Sequence, residues 1–463
     1  MARSGKPAGV AVFTATVSWL LTRAGLFLIL VGGQASAQDD RNRFLDRIDA
    51  NAIIDFRAAV ETNKPAFQST EIRLKTELGV ALWDNAELKA VTRFRADAFD
   101  KLEAGVPSQA AIAPLTRRLI IGDRSDFELR ELYVQTDVGR TRLTLGKQQI
   151  VWGQADGLKV LDIVNPQDFR EFILEDFGGS RIPLWSVNAE IPIRNVTAQF
   201  IWVPDRSYHK LPEPGSSYSF SAPGFAITPP PGIDLDLREV ARPTRAIADS
   251  DIGFRVSTLS GGWDLTVNYL YHYGDLPVPF AEIDVTPARP RLTVTPGYAR
   301  THLLGGTFSN AFGSVVLRGE VGYFFDRPMI AREIVDNKAF LQRDQLRHVI
   351  GLDWFRFSDT LISVQLFQDW TPRHSPSLFI DRVDTNFSIL LRRDFLNQTL
   401  TPQVILIQNV NGGSGLVRPQ VAYELNDHTS MRLGADVFYG STESIFGQFA
   451  ERDRVVFGVT WAF

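Results

Sequence analysis

The segment "RVVFGVTWAF", residues 454–463, carries an apolar side chain at every second position up to the final phenylalanine. The apolar positions are Val455, Phe457, Val459, Trp461 and Phe463. Strict alternation is typical of a β-strand whose two faces meet different surroundings. Because chain ends are usually polar and frayed, a terminal strand with such a face must be covered by protein or must face lipid.

The same two-residue period recurs along most of the chain. In "EIRLKTELGVAL", residues 71–82, apolar and charged side chains oppose each other, and "WDLTVNYLYHY", residues 263–273, repeats the pattern. We count about eighteen such segments, and several exceed the length of about 5–6 residues that is usual in soluble proteins. A soluble sheet explains any single segment, but a transmembrane strand needs about 9–11 residues, which these segments provide.

The connections between these segments alternate between short and long. Two-residue links such as Asp84-Asn85 and Gly139-Arg140 suit tight hairpins, whereas 101–124, 153–183 and 327–343 are long connections. Short periplasmic turns and long extracellular loops are typical of bacterial outer-membrane barrels. The sequence therefore predicts an all-β fold, a transmembrane antiparallel β-barrel of 16–18 strands with long extracellular loops and short periplasmic turns.

The N-terminus has the pattern of an export signal. Basic residues precede the apolar run "AGLFLILVGG", residues 24–33, and the small-residue motif "ASA" ends at Ala37. This pattern predicts a signal peptide over residues 1–37, cleaved after about Ala37, and a barrel over residues 38–463 in the outer membrane. An uncleaved helical anchor over residues 8–33 is the alternative.

Composition excludes several classes of protein. The 463-residue chain has no cysteine, which removes disulfides, thiol nucleophiles and cysteine-based metal sites, and its formal net charge of -4 gives no support to nucleic-acid binding. The six histidines are scattered without metal-ligand spacing. We therefore expect no enzyme activity, no metal and no cofactor. A barrel hydrolase, whose catalytic groups could meet only in space, remains a weaker alternative.

The most unusual stretch is "GKQQIVWGQADGLKVLDIVNPQDFREFILEDFGGSRIPLW", residues 146–185, where alternation stops at Trp152-Gly153. Here the chain resembles a large proteobacterial family of porin-like outer-membrane proteins of largely unknown function, loosely similar to alginate-export porins. The shared features are the Gly-Lys-Gln strand end, Trp152-Gly153 and the Asn165-Pro166-x-Asp168 motif. The resemblance implies a single barrel that passes a solute across the outer membrane.

A long loop of this composition could fold into the lumen and narrow it, or it could only brace the rim. The candidate residues for a luminal constriction are Trp152, Gly153, Asp156, Asp162, Asn165, Pro166, Asp168, Arg170, Glu171 and Arg181. A divalent-cation site formed by Asp156, Asp162 and Asp168 is a weaker alternative, because hard oxygen ligands are present but the spacing matches no known loop. The Pro-, Gly- and Ser-rich connection 205–248 is expected to be mobile.

Two further groups of residues are singled out. Arg73, Lys75, Arg93 and Arg95 fall on neighbouring strands and are candidates for a luminal basic patch, although ion pairing across strands is the simpler interpretation. Gly458, Trp461 and Phe463 resemble the C-terminal assembly signal of outer-membrane proteins, with a departure at Val456, where that signal favours a polar residue.

The sequence thus predicts an outer-membrane channel, or the exit barrel of an export system, for a small or polymeric solute. A barrel that binds and transports hydrophobic or lipid-like ligands is the alternative. The expected partners are outer-membrane lipids and the outer-membrane barrel assembly machinery, together with a periplasmic or inner-membrane export partner if the barrel serves an export system, and no nucleic acid.

Overall fold

The computed structural model describes residues 47–224, 232–286 and 289–463. The predicted signal peptide, residues 1–37, lies outside the described residues. None of the helices among the described residues is long and apolar enough to cross a membrane.

The described residues form 22 strands and two short helical turns. The strands are β1 (Ile48–Glu61), β2 (Ala66–Trp83), β3 (Ala86–Asp97), β4 (Ile120–Ile121), β5 (Ser125–Val138), β6 (Thr141–Gln148), β7 (Leu184–Ile193), β8 (Val196–Val203), β9 (Asp234–Leu237), β10 (Asp251–Ser260), β11 (Trp263–Tyr273), β12 (Val278–Asp284), β13 (Arg291–Gly297), β14 (Arg300–Phe312), β15 (Val315–Val335), β16 (Lys338–Trp354), β17 (Thr360–Trp370), β18 (Val383–Arg393), β19 (Leu400–Asn409), β20 (Ser414–Asn426), β21 (Thr429–Tyr439) and β22 (Arg454–Ala462). The helical turns are α1 (Phe177–Ser180) and a 3-10 turn, Gly447–Phe449.

Eighteen of these strands form one closed antiparallel barrel, whereas β4, β9, β12 and β13 belong to its long connections. The barrel closes where the first strand pairs with the last, with Phe56 opposite Val459 and Ile53 opposite Ala462. Closure leaves no free sheet edge, which is the condition for a sheet in lipid. The predicted barrel is confirmed, at the upper end of the predicted range of 16–18 strands.

The start of β1 and the end of β22 lie at the end of the barrel that carries the short turns, which we call the turn end. Asp84-Asn85, Gly139-Arg140 and Gly261-Gly262 connect strands there, and the opposite loop end carries the long connections. The prediction of a long connection over residues 327–343 is wrong. β15 continues to Val335 and β16 begins at Lys338, so the two strands form a hairpin that extends past the wall. The hairpin is stabilised because its apolar residues, among them Met329, pack on a neighbouring loop.

The two faces of the wall differ in chemistry. Outward side chains are apolar and exposed, for example Val267 on β11 and Leu433 on β21, which are 61% and 57% exposed. Their inward neighbours include buried polar groups such as Asn268 and Asp436. An apolar exterior around a polar interior is typical of a barrel that spans a membrane.

Candidate luminal site

The connection between β6 and β7, residues 149–183, folds into the barrel, and we call it the luminal loop. It leaves and re-enters the wall at one place, because Gln148 and Leu184 are register partners. Its contacts reach distant parts of the wall. Arg347 on β16 donates to the carbonyl of Lys159 at 3.3 Å, and Arg418 on β20 donates to the carbonyl of Leu174 at 2.9 Å. The luminal loop therefore crosses the lumen.

Trp152 and Gly153 anchor the start of the luminal loop. Trp152 is 1% exposed, and its indole N–H donates to Gln199 on β8 at 2.9 Å. A Cβ atom on Gly253 of β10 would lie 2.6 Å from the Trp152 ring, and one on Gly153 would lie 2.7 Å from the amide nitrogen of Asp162. Both positions therefore require glycine. The alternation ends at Trp152-Gly153 because the indole ring packs against the barrel wall there.

Asn165 and Pro166 join the two ends of the luminal loop. The Asn165 amide oxygen accepts from the backbone N–H of Ile150 at 2.7 Å, and its nitrogen donates to the carbonyl of Ile182 at 2.9 Å. The Pro166 carbonyl accepts from the Ile182 N–H at 2.7 Å. Asp168 follows as a turn residue, since its carboxylate accepts from the Arg170 N–H at 3.1 Å. This motif therefore fixes the shape of the luminal loop.

The three aspartates considered for a cation are held apart by different arginines. Asp156 pairs with Arg318 on β15, and Asp162 pairs with Arg181 within the luminal loop at 2.7 Å. Asp168 pairs with Arg118 at 3.4 Å. Among the described residues, no group of three or more His, Asp or Glu side chains is placed to hold a metal ion. The alternative of a cation site formed by these aspartates is therefore wrong.

Arg170 and Glu171 attach the far side of the luminal loop to the seam where the barrel closes. Glu171 contacts Arg57 on β1 and pairs with Arg454 on β22 at 2.9 Å. Arg170 pairs with Glu71 on β2 at 2.6 Å. Burial alone would raise the pKa of Glu171, but the surrounding guanidinium groups outweigh it and lower that pKa to about 2. Glu171 therefore remains ionised at neutral pH and holds the luminal loop to the wall.

Each residue of the predicted basic patch has a carboxylate partner. Arg73 contacts Glu71 and pairs with Glu175 at 2.7 Å. The other three pairs are Lys75 with Glu77 at 2.6 Å, Arg93 with Glu128 at 2.9 Å, and Arg95 with Asp126 at 2.6 Å. The patch is therefore a row of ion pairs, three of them within the wall and one, Arg73–Glu175, between the wall and the luminal loop.

Two features of the lumen escaped sequence reasoning. Glu320 on β15 accepts from the backbone N–H groups of Ala155 and Leu161, at 2.6 and 2.9 Å, and so caps a turn of the luminal loop. The expectation that the whole connection 205–248 is mobile is wrong for residues 205–224, because Tyr218 there is 0% exposed and packs on Phe449. The aromatic residues within this Ser- and Gly-rich segment are the feature of the sequence that could have predicted its packing.

The luminal loop separates two cavities. The turn-side cavity, about 610 Å³, is lined by charged residues such as Asp55, Arg432 and Asp436. The loop-side cavity, about 270 Å³, lies among the outer ends of the strands and is lined by aromatic residues such as Phe324. Among the residues that the structure describes, Glu175 is the one that lines both cavities. The Glu175–Arg73 pair therefore stands at the boundary between them.

The residues of the predicted assembly signal lie on β22 or directly after it, at the turn end. Trp461 and Phe463 are both 48% exposed, and their ring centroids are 4.9 Å apart. Gly458 faces the lumen, where a Cβ atom would lie 2.5 Å from the Arg432 side chain. The two aromatic rings are therefore outward-facing, and the glycine makes room for an arginine inside.

Comparison with solved structures establishes the fold. OccK1 (OpdK) of Pseudomonas aeruginosa matches with a TM-score of 0.51 and 10% identity, over 91% of this chain and 99% of that chain. OccAB3 of Acinetobacter baumannii matches with a TM-score of 0.50 and 9% identity, over 90% and 99% of the two chains. OpdK solved with vanillate matches with a TM-score of 0.50 and 10% identity, over 91% of this chain and 99% of that chain. At this identity the likeness shows an outer-membrane porin fold.

Sequence comparison gives the family. No match was found among curated proteins. The family model that matches covers residues 122–463 and is described as a protein of unknown function, DUF1302. The resemblance to a porin-like family of largely unknown function is thereby confirmed. The match spans well over half of the sequence, so the chain belongs to the DUF1302 family.

Proposed function

We propose that the protein is an outer-membrane channel for small solutes, with the luminal loop as its constriction. The observation that carries the proposal is a polar lumen in a closed barrel, crossed by one loop that leaves a cavity on each side. A wall of 18 strands is wide enough for an aqueous channel. The pairs that hold the luminal loop favour a small solute over a polymer, because a polymer would need the whole loop to leave the lumen.

The constriction is proposed to lie where the luminal loop meets β2. Arg73 and Glu175 form the pair that borders both cavities, and Arg170 and Glu171 hold the same segment to the seam. Charges at a narrow point set the potential that an ion meets. The proposed role of Trp152, Asn165 and their neighbours is to keep this segment in place.

The proposal also includes the route to the membrane. We propose export by a signal peptide cleaved after about Ala37, and recognition of Gly458, Trp461 and Phe463 by the barrel assembly machinery. The outward position of the two aromatic rings supports this, because they are accessible on the terminal strand.

Planar-bilayer conductance tests the channel. Wild-type protein should show small, discrete conductance steps. A variant in which residues 156–181 are replaced by a short Gly/Ser link should show larger steps and weaker ion preference. Because that deletion removes many contacts, its barrel must first be shown to be folded by heat-modifiable migration.

A matched variant keeps the test decisive. Arg73→Gln with Glu175→Gln removes the pair at the boundary without shortening the chain, and it should also raise conductance. Arg142→Gln with Asp137→Asn, an exposed pair that lines neither cavity, is the control and should leave conductance unchanged. Folded wild-type and loop-deleted barrels that both fail to conduct would refute the channel. A deletion variant with native conductance and selectivity would refute the constriction.

A further inference from the structure

The loop-side cavity combines aromatic walls with cationic groups. Four phenylalanines line it, namely Phe169, Phe172, Phe177 and Phe324. The Phe324 ring centroid lies 5.2 Å from the guanidinium carbon of Arg327 and 5.9 Å from that of Arg347. The Phe177 ring centroid lies 4.3 Å from the ammonium nitrogen of Lys159. Such walls favour a flat apolar body with a polar end.

One of the three cations that line the cavity makes no ion pair among the described residues. Lys159 pairs with Asp162 at 3.0 Å, and Arg347 pairs with Asp369 at 2.9 Å. Arg327 contacts the side-chain oxygen of Gln345, and among the described residues no carboxylate lies within ion-pair distance of it. A guanidinium that lies beside an aromatic ring and whose side-chain partner is neutral favours an anion beside it.

The acidic residues that line the cavity do not supply that anion. Asp168 pairs with Arg118 at 3.4 Å, and Glu175 pairs with Arg73 at 2.7 Å. Asp275 lies in the connection after β11, where burial, and then the charge of Asp251, raise its pKa well above the usual range. In the described part of the chain Asp275 forms no ion pair with Arg327, so it does not take the place of an anion there.

A second, independent observation concerns His272 on β11. Its side chain is 6% exposed and lines the same cavity, and its Nε2 atom has no hydrogen-bond partner. A buried polar atom without a partner is costly unless a bound molecule satisfies it. A polar group of a molecule bound beside Arg327 supplies the partner that Nε2 lacks.

We propose that the loop-side cavity binds a small aromatic monoanion, with the acid group at Arg327 and His272 and the ring among the phenylalanines. The volume of about 270 Å³ lies just below the range of about 300–1,000 Å³ of most ligand pockets, which sets the size at one ring with short substituents. Because one of the lining cations makes no ion pair, the ligand is expected to carry a single negative charge. The inference rests on the proposed function insofar as it names the solute class of that channel.

Isothermal titration calorimetry of the full-length barrel in detergent, with benzoate as the probe, tests the inference. Wild-type protein should bind benzoate saturably. It should bind benzyl alcohol, acetate and benzylamine at least about tenfold more weakly, because each lacks the anionic group or the ring or carries the opposite charge. Equal binding of benzoate and benzyl alcohol, or no saturable binding of benzoate, would overturn the inference without any variant.

Variants then locate the site. Arg327→Gln should weaken benzoate binding by about tenfold to a hundredfold, the loss expected for a charge-assisted hydrogen bond. Arg332→Gln, an exposed arginine on the same strand, is the matched control and should leave binding unchanged. Equal affinity of wild-type protein and Arg327→Gln would overturn the inference. Binding without conductance refutes the channel alone, and conductance without binding refutes this inference alone.

Discussion

The carboxylate of Glu171 should control how firmly the luminal loop is held. Its side chain is 1% exposed, as is that of Arg454, and that of Arg57 is 7% exposed. Glu171→Gln keeps the shape of the side chain and removes the charge that faces both arginines. Removing one partner of a buried ion pair costs about 3–5 kcal/mol.

The lower end of that range applies here. Arg57 keeps Glu71 at 3.4 Å, and Arg454 keeps Asp436 at 2.7 Å, so neither guanidinium is left without a carboxylate. We therefore expect a loss of about 3 kcal/mol. Because each 1.4 kcal/mol is a factor of ten, the luminal loop should open about a hundredfold more often.

Hydrogen exchange of backbone amides in the luminal loop measures this opening. The N–H groups of Phe172 and Leu174 donate within the loop at 2.8 and 3.0 Å, and their exchange should be about a hundredfold faster in Glu171→Gln. The control Glu77→Gln removes a carboxylate whose side chain is 41% exposed, a pair worth about 0–1 kcal/mol. Equal exchange rates in Glu171→Gln and Glu77→Gln would refute the reasoning.

The same carboxylate gives the wild-type loop a pH dependence with a definite sign. Its pKa is lowered to about 2 in the folded protein, against about 4.3 in an unfolded chain. A lowered pKa contributes stability that is present above the unfolded value and is lost as pH falls through the folded value. Loop protection, corrected for intrinsic exchange, should therefore hold at neutral pH and fall between about pH 4 and pH 2. In Glu171→Gln this contribution should be absent.

Three further outcomes test the wall and its assembly. Leu433→Arg places a charge in lipid and should cost about 2–4 kcal/mol of unfolding free energy. Gln420→Arg, on the lumen face of the neighbouring strand, should cost much less. Equal urea midpoints for the two variants would mean that the two faces are wrongly assigned. Deleting Phe463 should lower the heat-modifiable form in the outer membrane and leave protein in the periplasm, and an unchanged yield would contradict the assembly signal. Gly253→Ala should displace Trp152 and cost about 1–3 kcal/mol, with a shift in tryptophan fluorescence, so native fluorescence and stability would contradict the contact.

The wall was predictable from sequence because its physics is local. Each strand needs an apolar outer face and a polar inner face, and this alternation is visible without knowing the partner strand. The pairing of β1 with β22 follows once the strands form a closed barrel. Residues 327–343 form a hairpin instead of the predicted loop because β15 and β16 continue beyond the strand length that crossing the membrane requires.

The interior was less predictable because its contacts join distant positions. Glu171 and Arg57 are 114 residues apart, and Glu320 caps a turn more than 150 residues away. Trp152-Gly153 was visible as a break in alternation, but its partner Gly253 looked like any strand glycine. Which charges face each other across a lumen depends on how the loop enters it, and neither composition nor period carries that information.

The ion pairs of the lumen differ in how easily they separate, and this orders the possible routes for a solute. Glu71 and Glu171 have side chains that are 0% and 1% exposed, so opening a path between them would leave several charges without solvent or partner. Glu175 and Arg73 are 15% and 13% exposed, and Glu175 lines both cavities while Arg73 lines the turn-side cavity. Separating them costs less because each charge can be hydrated as it moves. We therefore expect solutes to pass beside Glu175, with Glu171 and its arginines as the fixed support on which that movement depends.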